Sequence, residues 1–234
     1  MAILLCTATA KEMKAVLKGL SLAESSPVQG QIKAVSHQNH EFLLLVTGVG
    51  PVNAALNMGA ALKVNRVSLV VNPGIAGSFD LEQAPMGSAV AASTEIWPEY
   101  GVREDNRVEP RDIGLAQAHI PEQGGPVWDR VFLSNTDMLA KAGLAVPSGL
   151  VSGVSLTVAG VTADAQRAAF LKERHGALME NMEGFSVAYA AALSETPCVE
   201  IRTISNPVGV RDADAWDISG ALKALSAIAG QLVK

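Results

Sequence analysis

Short apolar runs alternate along the chain with stretches in which apolar positions return every three or four residues. The runs at 2–6, 67–71, 88–92, 150–158, 177–180 and 197–205 read as strands, the last of them β-branched enough for an inner strand. Two further strands, 32–36 and 41–46, flank the polar turn His37-Gln38-Asn39-His40. Met13, Val16, Leu17 and Leu20 recur at helical spacing after the first strand, and Pro51 opens a second helix through residue 63. Helices are also predicted at 135–143, 163–173 and 184–193, with an amphipathic helix over 217–233 closing the chain. The strand, helix and strand of 177–205 predict a parallel unit with a crossover helix. Between about 94 and 130 the pattern lapses into two tryptophans, four prolines and scattered charge. Too aromatic for a solvated spacer, this stretch is expected to be an excursion acting as a lid or an oligomer contact.

A chain of 234 residues suits one α/β domain spanning 1–234. With 49% hydrophobic and 4% aromatic residues, its core is built from Ala, Val, Leu and Ile. The net charge of -5 and the lack of a basic run argue against a nucleic-acid partner. Cys6 and Cys198 lie in apolar strands and read as buried free thiols of a reducing compartment. No stretch reads as a signal peptide or a membrane span, so no membrane partner and a cytoplasmic location are expected.

Polar residues collect at the predicted strand ends. Glu12 follows the first strand, where a first-turn acid favoured by the helix dipole is the simpler reading. Thr47-Gly48-Val49-Gly50-Pro51 offers a helix N-terminus whose free N–H groups suit an anion or hydroxyl, without the lysine of a P-loop. Asn72-Pro73-Gly74-Ile75-Ala76-Gly77-Ser78 reads as a second glycine-bearing loop. Asn181, Met182 and Glu183 follow one strand, and Ser205 and Asn206 end the next. Several such ends together predict one concave small-molecule site. Met182 as a core residue and Glu183 as a helix cap are the simpler alternatives. His37 and His40 match no metal-ligand spacing, and no metal is expected.

With these residues in view, the chain resembles the nucleoside phosphorylase/hydrolase superfamily. The carriers are the Glu12 region, TGVGPVNAA at 47–55, NPGIAG at 72–77, NMEGFSVAYAA at 181–191 and IRTISNPVG at 201–209. SNPVGVRDADAW at 205–216 and the NMEG form make it most similar to the futalosine hydrolases within that superfamily. The resemblance implies a purine nucleoside phosphorylase-like fold: three layers, with a mixed, largely parallel sheet between helices. It implies hydrolysis of futalosine to hypoxanthine and dehypoxanthine futalosine in menaquinone biosynthesis, with no cofactor. It places Glu12 as the base for the attacking water, Met182 and Glu183 (with Asn181 beside them) at the ribose, Asn206 at the purine, Leu156 against the base and the Gly74–Gly77 loop, Gly74 and Ile75 foremost, beside the water or phosphate. It also implies a homo-oligomer.

Two departures matter. The 72–78 stretch lacks the arginine with which phosphorylases hold phosphate, which favours water as nucleophile. Asn206 stands where adenine-specific nucleosidases carry an aspartate; its amide suits a 6-oxopurine and leaves the general acid unassigned, Asp212 being a candidate. Arg103, Arg107 and Arg111 are candidates for the benzoate carboxylate of futalosine. Methylthioadenosine/adenosylhomocysteine nucleosidase, purine nucleoside phosphorylase and a non-catalytic nucleoside-binding module are the alternatives.

Overall fold

The computed structural model describes residues 2–105 and 107–233. Strand β1 (Ala2–Thr7) leads into α1 (Ala10–Gly19), then the hairpin β2 (Ile32–His37) and β3 (His40–Val46), α2 (Pro51–Val64), and β4 (Val67–Ser78). Next come β5 (Ala89–Ile96), the short strands β6 (Val102–Glu104), β7 (Arg107–Glu109), β8 (Ala118–Ile120), β9 (Gly125–Val127) and β10 (Arg130–Phe132), and α3 (Asp137–Lys141). The chain ends with β11 (Val151–Thr157), α4 (Ala165–His175), β12 (Ala177–Asn181), α5 (Gly184–Leu193), β13 (Cys198–Pro207) and α6 (Ile218–Gln231).

Alternation along β1 shows why helices cover both faces of the sheet. Ile3 and Leu5 pack with Met13, Val16 and Leu17 of α1 and Leu225 and Ile228 of α6. Leu4 and Cys6 point the other way, onto Ala54 and Met58 of α2 and Val187 of α5. A strand buried on both faces must be continuously apolar, as this one is. Both cysteines are free and buried, and burial pushes the Cys6 thiol up to about 12.

The sheet is mixed as expected, and five of its strands close into a ring. Strands β5, β11, β12, β4 and β13 pair in that order, and β13 returns to β5. β1, β3 and β2 extend outward from β4, and β10 from β5. The ring corrects one expectation: β12 and β13 are not parallel neighbours. β12 lies antiparallel to the far end of β4 while β13 runs parallel to β4, so α5 connects strands on opposite sides of it.

The second correction is the Asn72–Ser78 stretch, which is strand and not loop. On one side it pairs with β13 from Asn72↔Glu200 to Ser78↔Pro207. On the other side β1 ends at Val71 and β12 begins only at Gly77, leaving an open edge between them. Pro73, which has no N–H to give a ladder, falls in that opening. The excursion, third, starts after Ile96, because β5 continues through Thr94 and Glu95. It folds as two small hairpins, β6–β7 and β8–β9, and packs Ile120, Val127 and Trp97 on Phe185 and Ala188 of α5.

Candidate active site

The carboxyl ends of β1, β4, β12 and β13 surround a cavity of about 310 Å³, the place where ligands enter open α/β sheets. Glu12, Ile75, Asn181, Met182, Glu183 and Asn206 all line it.

Glu12 is the first-turn acid of α1, and it also lines the cavity. It closes a capping box: the Thr9 backbone N–H donates to Oε2 at 2.8 Å while the Glu12 N–H donates to Thr9 Oγ1 at 3.2 Å. Its other oxygen, Oε1, accepts the Ile75 N–H at 3.1 Å. That N–H belongs to the open edge of β4, so the gap in the sheet and the position of the carboxylate have one cause.

Glu183 is the residue preceding α5, yet its side chain does not cap that helix. It reaches across to the head of α2, where the Gly50 N–H donates to Oε1 at 2.9 Å. One N–H of the first glycine loop is thus committed to a protein carboxylate, and Gly50 has the φ of 90° that favours glycine. Burial raises the Glu183 carboxyl above its usual range, against the pull of Arg202.

Asn181 acts as the clamp of this corner. Its Oδ1 accepts the N–H groups of Glu183 at 2.8 Å and Gly184 at 2.6 Å. Its Nδ2 donates to Glu95 Oε1 at 2.6 Å and Ser155 Oγ at 2.8 Å. Thr157 Oγ1 donates to the other oxygen of Glu95 at 2.7 Å. Glu95 and Glu200 are wholly buried, and burial first, then the charge of Glu200, push Glu95 well above the usual carboxylate range.

A buried arginine, Arg202, lies against the Asn72–Ser78 stretch, which has no arginine of its own. It stands opposite Gly74 in the β4–β13 register, buried, with Nε donating to Glu200 Oε1 at 3.0 Å. Burial would lower its affinity for a proton, but Glu200, Glu183 and Glu12 outweigh it and raise that affinity. A Cβ on Gly74 would overlap the guanidinium and stand 3.0 Å from Glu12 Oε1, so glycine is what lets the two approach. Gly74 therefore underlies the site without lining the cavity. Nη2 of Arg202 is a buried donor with no protein partner.

Asn206 lies beside Gly77, with Oδ1 2.8 Å from the Ser205 hydroxyl that donates to it and Nδ2 donating to Pro207 O at 3.1 Å. The second hydrogen of Nδ2 is left for a ligand.

Two expected residues stand elsewhere. Leu156 is in the core with Ile96, Leu171 and Ala177, because alternate residues of β11 face opposite ways and the inward positions belong to Ser155 and Thr157. Asp212 is exposed, its Oδ1 accepting the Asp214 N–H at 3.1 Å in a short 3₁₀ turn; Trp216, beyond that turn, lines the cavity instead. None of the described excursion residues, Arg103, Arg107 and Arg111 among them, lines it within one chain; Arg107 pairs with Glu109. Lys11 is the lysine on the wall, which Trp216, Ile218 and Leu222 also line.

Arg202, Glu200 and Glu95 went unread in the sequence, although the pattern held a signal. Glu200 and Arg202 sit two apart in an apolar strand, on one face, and Glu95 likewise interrupts an apolar run. Among the described residues, no three His, Cys, Asp or Glu side chains stand together to hold a metal.

Residues 2–234 match the Phosphorylase superfamily. The futalosine hydrolase of Streptomyces coelicolor is 40% identical over 197 residues, 81% of this chain and 77% of that protein. The futalosine hydrolase of Acidothermus cellulolyticus is 36% identical over 224 residues, 95% of this chain and 86% of that one. The native futalosine hydrolase structure from Helicobacter pylori superposes with a TM-score of 0.75 at 20% identity, covering 98% of this chain and 94% of that one, a likeness of fold. The chain belongs to the Phosphorylase superfamily, among its nucleosidases related to the futalosine hydrolases, enzymes that hydrolyse N-glycosidic bonds.

Proposed function

We propose that this enzyme hydrolyses futalosine to hypoxanthine and dehypoxanthine futalosine in menaquinone biosynthesis, in the cytoplasm, without a cofactor or a nucleic-acid partner and as a homo-oligomer. The observation that carries the reading is the meeting of Glu12, Glu183 and Asn206 in one cavity. Glu12, held by Thr9 and Ile75, takes a proton from water as the water oxygen bonds to C1′. Glu183 accepts the ribose hydroxyls, and Met182 packs on the sugar. The C1′–N9 bond breaks with its electron pair passing to the purine, and the Asn206 amide stabilises the charge that develops there.

Arg202 does not turn the site toward phosphate. Glu200 is bonded to it, and Glu12 and Glu183 lie within its field, so the surroundings of the guanidinium remain anionic. Water needs no such cation. Lys11, in a cavity that Trp216, Ile218 and Leu222 also line, suits an aryl carboxylate, the feature that separates futalosine from inosine and methylthioadenosine.

The test is release of free base from futalosine, inosine and methylthioadenosine, with and without phosphate. Futalosine should be the best substrate, at a rate indifferent to phosphate. A preference for methylthioadenosine, or formation of ribose 1-phosphate from inosine, would refute the reading. Glu12→Gln keeps one acceptor oxygen, enough to complete the capping box while giving up the Ile75 N–H, and the base is lost. Its kcat should fall by about 10²–10⁴-fold with ligand affinity nearly unchanged.

A further inference from the structure

The first N–H groups of a helix have no partner within it. In α5 those of Glu183 and Gly184 go to Asn181 Oδ1, and that of Phe185 goes to Thr157 Oγ1 at 2.6 Å. Glu95, outside the cavity wall, fixes both of these side chains: one of its oxygens takes the Asn181 amide and the other the Thr157 hydroxyl. A single carboxyl on β5 therefore sets, through β12 and β11, the direction in which the Glu183 side chain leaves for Gly50.

The same corner holds a second acid. Oxygens of Glu95 and Glu200 converge beneath Gly184, where a Cβ would overlap both. Arg202 and Asn72 donate to Glu200, at 3.0 and 2.9 Å, whereas Glu95 forms no ion pair among the described residues. The charge of Arg202 is already met by Glu200, Glu183 and Glu12. Two buried carboxylates this close do not both ionise when no second cation is at hand. Burial, then the charge of Glu200 and a hydrogen bond with it, hold the Glu95 carboxyl well above the usual range.

We propose that Glu95 is a positioning residue that works as a neutral acid: it gives its proton to Glu200 as a hydrogen bond, accepts from Asn181 and Thr157, and so fixes the turn that carries Glu183. The inference rests on Glu183 meeting the ribose. An ionised Glu95 would have no hydrogen to place between the two acids. Their repulsion would then fall on the Asn181 amide, whose Nδ2 lies 2.6 Å from Glu95 and 3.4 Å from Glu200.

The experiment compares Glu95→Gln and Glu95→Leu with the native enzyme on futalosine. Leucine removes both acceptors and should lower kcat/KM at least about tenfold, the effect of a buried donor left unmet. Glutamine is neutral and its carbonyl can still take the Asn181 amide, so Glu95→Gln should retain most of what Glu95→Leu loses. In Glu95→Leu the damage should fall on the sugar: KM rises while affinity for the free purine base stays native. Equal losses in the two variants, native activity in Glu95→Leu, or base affinity that weakens in step with KM overturns the inference. If Glu95→Leu fails to fold, infrared spectroscopy decides: at neutral pH the native protein should show the carbonyl stretch of a protonated carboxyl that Glu95→Gln lacks. Identical spectra in that region overturn the inference, as does a Glu95→Gln protein that cannot fold, since the amide is the nearest stand-in for a neutral acid. A native enzyme that leaves futalosine intact overturns the parent reading alone, and the same comparison on the nucleoside that it does cleave still decides this one.

Discussion

Gly184 stands where three requirements converge. Its N–H is held by Asn181, it opens α5, and it faces Glu95 and Glu200. A Cβ at this position would overlap both carboxylates. Neither can retreat: Thr157 and Asn181 hold Glu95, and Asn72 Nδ2 at 2.9 Å and Arg202 hold Glu200. Gly184→Ala should therefore cost about 1–3 kcal/mol by overpacking. It should also lower kcat/KM, because the displaced turn carries Glu183. Thermal melting and steady-state kinetics of the variant check both; native values in each would show that the corner is slack. At this scale the sequence was legible for groups that reach the cavity, since Glu12, Met182, Glu183 and Asn206 stand in recognisable motifs. It was not legible for the layer beneath. Glu95, Glu200 and Arg202 come from strands far apart in the chain, and only the closed ring of strands brings them together.

Among the elements, β4 shows where local rules mislead. Asn72-Pro73-Gly74 is a strong turn signal, yet it runs straight because β13 pairs with it throughout and no strand needs the Pro73 N–H. Helices were read more accurately: 184–193 matches α5 to the residue, since a small apolar helix has one clear register. Helix α4 carries an acid-sensitive end. Burial, and then neighbouring Arg174, lower the pKa of His175 from 6.5 to about 4. The unfolded chain takes up a proton near 6.5 that the folded chain refuses, so the stabilising contribution is full above 6.5 and is lost as pH falls toward 4. The raised carboxyls of Glu95, Glu180 and Glu183 act in the opposite sense, since the fold binds their protons more tightly. Relative to the native protein, His175→Gln should flatten the decline of melting temperature between pH 6.5 and 4, by about 3–6 °C. Parallel melting curves for the two proteins over that range would rule out His175 as the cause.

For the molecule as a whole, α2 is the element whose composition exceeds the burial that one chain provides. Ala54, Met58 and Ala61 face the core, while Val52 and Leu56, one turn apart, remain 79% and 69% exposed. A helix apolar on both faces is normally covered on both. The exposed face adjoins the site, because Val49 lines the cavity, is itself 51% exposed, and precedes the Gly50 that holds Glu183. A second copy seated on α2 would cover this apolar face and steady the loop that holds Glu183. The excursion, by contrast, buries its apolar residues on α5 within the same chain, Tyr189 donating to Gln117 O at 3.0 Å. If the chain assembles as its resemblance implies, the exposed face of α2 is where we propose the contact lies. Glu side chains at Val52 and Leu56 would set like charges against one another across a two-fold contact. The native enzyme should sediment as a dimer or larger, and the Val52→Glu, Leu56→Glu double variant as a monomer. Since Gly50 is at the head of the same helix, the double variant should lose at least about tenfold in kcat/KM, the equivalent of one hydrogen bond to a charged group. A native monomer with full activity, or a double variant that remains associated, would move the contact away from α2.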